Sequence, residues 1–106
     1  MAHKRFLLLL SLNKESAAYG KGMLARIQRD VDANAAPHWI DSRGIGVFIS
    51  SPRTIREIWT LAIPTQLSPE ERRAFQDMLI LQIGKETLGF PETRAVAWLN
   101  SHPHAD

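Results

Sequence analysis

Few residues in this 106-residue chain could do chemistry, and they are scattered. A hydrolytic magnesium site needs carboxylates that hold a hard cation and orient its water. The acids placed for such a role are Glu15, just past the apolar run of residues 6–12, and Asp41, inside Asp41-Ser42-Arg43-Gly44. These two are the candidate catalytic residues. Glu15 also suits a helix entry, and an Asp in a turn ordinarily caps the turn backbone. His102 and His104 form an H-x-H pair without a third ligand, and His38, which precedes Trp39, reads as packing or solvent-exposed. Ser11 has no glycine-rich elbow and no neighbouring base. The Gly20-Lys21-Gly22 stretch is too short for a phosphate loop. With no cysteine, thiol catalysis, disulfides and zinc–thiolate sites are excluded. No metal and no cofactor is expected.

A second group of residues could bind rather than react. Lys14, Arg43, Arg53 and Arg56 are expected to meet at one sheet edge, where they would suit a nucleic-acid backbone. The net charge of +2 permits RNA or DNA as a partner without demanding it, because acids and bases are interspersed. A solvated surface explains the same residues. Trp59 lies on an apolar helical stripe and reads as core, whereas Trp39 beside a short edge-type strand reads as an interface residue.

Elements must position these groups. Residues 6–12 hold six apolar residues in seven and read as a strand buried on both faces. Ser16 caps a helix within residues 17–33, with Tyr19, Met23, Ile27 and Val31 on one face beside Leu24. Residues 39–40 and 45–50 read as a hairpin, Ile45, Val47 and Ile49 sharing a face, with Gly44 and Gly46 marking a tight bend. Ser51 with Pro52 reads as the start of a helix carrying Ile55, Ile58, Trp59, Ala62 and Ile63, which Pro64 ends. Ser68, Pro69 and Glu71 open a short extra helix over 69–76. Residues 78–84 read as another buried strand, and a last helix begins at Pro91–Glu92 with Val96 and Leu99 on its apolar side. The expected fold is α+β: a ferredoxin-like βαββαβ arrangement, with a four-stranded antiparallel sheet, helices on one face, the extra short helix before the last strand and a C-terminal helix. The whole of 1–106 forms one domain, with 1–4 and 102–106 as flexible ends. The N-terminal apolar run is far below the ~20 residues of a membrane span, so no membrane partner is expected and the location is read as cytoplasmic.

Three stretches, FLLLLSLNK, HWIDSRGIGVFISSPRTIREI and LILQIGKETLGFPETRAVAWLNSH, carry a resemblance over residues 5–63 and 78–101. Together they resemble the small ferredoxin-like proteins of the CRISPR-associated adaptation-nuclease-like (SinR-like) family. The resemblance implies a homodimer that pairs its sheets. In some relatives it implies a metal-dependent nuclease whose acid ends the first strand. Here Ser11 and Asn13 hold that place, and TQLSPEERRAFQD departs from the family pattern. The resulting expectation is a non-catalytic homodimeric binding module for nucleic acid or a protein complex. The alternatives are a metal-dependent endoribonuclease or other nuclease using Glu15 or Asp41, and a protein-only inhibitor or regulator from a mobile element.

Overall fold

A computed structural model describes residues 3–13, 17–41, 43–63 and 67–104. The elements run β1 (Lys4–Leu12), α1 (Ala17–Asp30), β2 (Ala36–Asp41), β3 (Gly44–Ser51), α2 (Ile55–Ala62), α3 (Pro69–Ala74), β4 (Phe75–Gln82) and α4 (Arg94–Ser101). The strands form one sheet in the order β2-β3-β1-β4, every neighbouring pair antiparallel. The class is α+β, as expected.

Strand alternation sorts the side chains into two faces. On the first face Phe6, Leu8, Leu10 and Leu12 of β1 and Ile45, Val47 and Ile49 of β3 are buried against Met23 and Ile27 of α1 and Ile58 and Ala62 of α2. Tyr19, Leu24 and Val31 flank that core, so the expected stripe of α1 is met. The second face carries Arg5, Leu7, Leu9 and Ser11 of β1, paired with Ser50, Phe48, Gly46 and Gly44 of β3. A helix also covers this side. Trp98 of α4 stacks on Phe48, with ring centroids 4.8 Å apart and planes 13° apart. The expectation of helices on one face is therefore corrected. The reason lies in Phe48, a large apolar side chain pointing away from the first-face core, and in the 83–93 connection, which lets the last helix cross to meet it.

Several local expectations shift. β1 is not buried on both faces, since Leu9 is exposed. β4 starts at Phe75, takes two residues from the expected short helix, and is an edge strand whose outward Leu79 and Leu81 are exposed. The cap of α2 is Thr54, not Ser51. Thr54 Oγ1 accepts the Glu57 N–H at 3.1 Å, and Glu57 Oε1 accepts the Thr54 N–H at 3.0 Å. Ser51 stays in β3, fully buried, its Oγ accepting the Arg53 N–H. The reciprocal capping box outcompetes a lone serine because it satisfies two orphan N–H groups together. Ser68 does cap α3, as expected, accepting the Glu71 N–H at 3.1 Å. Ser16 and Pro64 lie outside the described residues.

Candidate functional site: the second sheet face

The polar end of β1 has a structural use. Ser11 Oγ donates to Gln76 Oε1 at 2.9 Å, and Asn13 Nδ2 donates to the Arg73 carbonyl at 2.7 Å. With the Asn13 N–H on the Ala74 carbonyl, these bonds tie the strand exit to the α3–β4 junction. Glu15 and Lys14 lie outside the described residues, and Asp41 is described by its backbone alone, which pairs with Gly44. Among the described residues no group of three His, Asp or Glu side chains could hold a metal ion. His102 instead lies flat on the Trp98 ring at 4.2 Å, with Nδ1 2.9 Å from the Trp98 carbonyl. At the other end, Lys4 belongs to β1, opposite Ser51.

Among the described residues the expected basic side chains lie on different segments. Arg43 sits in the β2–β3 turn, at the Gly44 end of β3, while Arg53 and Arg56 follow its Ser51 end. An eight-residue strand separates them, on the order of 25 Å. Arg53 also lies 3.8 Å from Glu57. Of the expected basic cluster, the described members Arg43 and Arg53 with Arg56 thus lie at two ends of the sheet.

What the sheet does assemble is an apolar row. Register places Leu79 of β4 opposite Leu9 of β1, Leu9 opposite Gly46 of β3, and Gly46 opposite Trp39 of β2. A methyl group on Gly46 would lie 2.6 Å from Trp39 Cε3 and 3.3 Å from Leu9 Cδ2. The absent side chain lets the indole and Leu9 meet across β3. Leu81 stands beside the row, opposite the second-face Leu7. Leu79, Leu9 and Trp39 are 47%, 39% and 52% exposed, and Leu81 is 45% exposed. An antiparallel sheet open to water ordinarily alternates to polar residues on that side. Here the middle of the open side is leucine and tryptophan, with Ser11 and Asp77 beyond it at one end.

Beside the row, α4 and the 83–93 segment enclose a groove of about 860 Å³, floored by Leu7, Phe48 and Trp39. Arg5, buried on β1, fastens these covering segments. Its guanidinium donates to the Gly84 carbonyl and, at 3.5 Å, to the Leu99 carbonyl. At the β2 end of the groove, His38 packs edge-on against Phe48 at 4.9 Å, and Arg94 Nη2 donates to the Pro37 carbonyl at 3.4 Å. Burial first, and the Arg94 charge second, hold the His38 imidazole below its ordinary pKa of 6.5. Sequence reasoning named Trp39 but missed Arg5, Arg94 and the place of His38. The available signal was an arginine inside an apolar strand, which has to find carbonyl partners.

Trp59 is a correction. It was expected in the core but is 41% exposed. It borders a shallow cleft with Ile63, Leu67, Phe75 and Met78 between α2 and β4.

Comparison with protein-family models, curated proteins and solved structures returns no match.

Proposed function

We propose that this chain is a non-catalytic, ferredoxin-like binding module that works as a homodimer through its second sheet face. The apolar row across all four strands carries the reading. Taken from their fractional exposures, the row, Leu81, and the outward Leu88 and Phe90 of the adjoining segment present on the order of 700 Å². That approaches the ~800 Å² per partner of a standard interface and exceeds the ~300–600 Å² of an ordinary monomer's largest apolar patch. A second copy is the occupant this face suits. An apolar sheet face is complementary to itself under a two-fold axis, and a charge of +2 per chain leaves little repulsion between copies. The strand order, read from β4 as β4-β1-β3-β2, with α1 between β1 and β2 and α2 between β3 and β4, supports the ferredoxin-like arrangement.

The further partner of the dimer is read as a protein complex rather than nucleic acid, because Arg43 and the Arg53–Arg56 pair lie at opposite ends of β3. A mobility shift with RNA or DNA that weakens steeply with salt would reverse that choice.

Sedimentation at micromolar concentration tests the dimer. The expected mass is twice the 12.0 kDa of one chain. Leu9→Lys with Leu81→Lys should return the monomer, with unchanged circular dichroism. A wild-type chain that stays monomeric throughout that range removes the proposal.

A further inference from the structure

The groove between α4 and the sheet is a second feature, and its chemistry differs from that of the open row. Its volume of about 860 Å³ lies within the ~300–1,000 Å³ of small-molecule sites. Its floor is apolar, and among the described residues no aspartate or glutamate lines it, while Arg94 is the one lysine or arginine that does. Arg94 reaches from the first turn of α4 to the carbonyl of Pro37, the residue before His38. Ile83 and Leu99 add to the apolar lining. One cation and an apolar trough match one negative charge carried on an apolar body. A phosphate dianion would call for more than one cation.

We propose that this groove binds an apolar carboxylate of fatty-acid type, its chain along Leu7, Phe48 and Leu99 and its head on Arg94. The guanidinium supplies the charge-assisted bonds. The ligand lies beneath Leu88 and Phe90, whose outer sides stay available to a second copy.

Tryptophan fluorescence can read the binding, because Trp39 lines the groove and Trp98 stacks on its floor. The probes are decanoate and decanol, each titrated into the full chain below its aggregation threshold. Decanoate should saturate and bind at least about tenfold more tightly than decanol, the factor expected for one charge-assisted contact. Arg94→Gln should weaken decanoate about tenfold and leave decanol within about twofold, which also shows that the variant folds. Equal affinity for the two probes in the wild-type chain overturns the proposal, even if the variant does not fold. So does a failure of decanoate to saturate, or an Arg94→Gln chain that binds decanoate unchanged. Leu9→Lys with Leu81→Lys should still bind decanoate, so loss of the dimer and loss of the site are separately visible.

Discussion

At the residue scale, three tryptophans show what a sequence pattern can and cannot decide. Trp59 belongs to an apolar stripe, yet only the Ile58–Ala62 line of α2 meets the sheet. On an eight-residue helix the flanking positions Ile55 and Trp59 turn outward, and the stripe does not say which of its lines faces in. Trp39 was expected at an interface because its strand is short and of edge type, and it is exposed on an edge strand. Trp98 reads from the sequence as a core or interface anchor without a named partner, since its burial depends on Phe48, fifty residues earlier. His38 reads from the sequence as packing or solvent-exposed, but its surroundings have a measurable consequence. Its pKa in the folded protein is lowered, so as pH falls through 6.5 the unfolded chain takes up a proton that the folded chain does not. Stability from this group is therefore fully present above that value and is lost as pH drops toward the lowered folded one. Thermal melts from about pH 8 to about pH 5 should show a falling Tm, and His38→Gln should flatten part of that slope. An unchanged slope in His38→Gln would show that other groups set the acid sensitivity.

At the element scale, most helices were legible and their boundaries less so. The stripe of α1 and the Ser68 cap of α3 follow from spacing and capping chemistry. The start of α2 did not, because Ser51-Pro52 and Thr54–Glu57 are both plausible openings and only the length of β3 decides between them. β3 runs on to pair Ser51 with Lys4, which leaves Ser51 extended and hands the cap to Thr54. Thr54→Ala should then cost about 1 kcal/mol in chemical denaturation. Glu57→Ala should cost less when combined with Thr54→Ala than alone, because the two side chains share one box. Strict additivity would mean that the box is not formed. β1 and β4 illustrate a different blind spot. A run of leucines reads as a strand buried on both faces, but the same run arises when one face is left apolar for a partner. Nothing local distinguishes a face covered by the chain's own helices from one covered by another molecule.

At the scale of the whole molecule, the second face is divided between a cover the chain supplies and a surface it leaves open. α1 and α2 are built into the main core, whereas α4 is held by Trp98 on Phe48, by Arg5 on the Leu99 carbonyl and by Arg94 on the Pro37 carbonyl. Few apolar contacts and a long connection are the marks of a segment that opens locally before the rest unfolds. Only its own stretch of sequence announced α4. Its place opposite the other helices came from a tertiary match between two distant aromatic rings. Backbone amides of Ala97 and His102 should therefore exchange with deuterium through local opening, well ahead of the central β1 amides that hold β3 and β4. Trp98→Ala should speed α4 exchange further while leaving β1 protection nearly unchanged. A carboxylate held by Arg94 of α4, with its chain along Leu7 and Phe48, would tie the cover to the sheet, and a ligand that prefers the closed form must slow its opening in proportion to saturation. Decanoate should accordingly slow α4 exchange in the wild-type chain but not in Arg94→Gln. Matching protection of α4 and β1 in the ligand-free protein would show that the helix is part of the main cooperative unit, and that the groove does not open by its release.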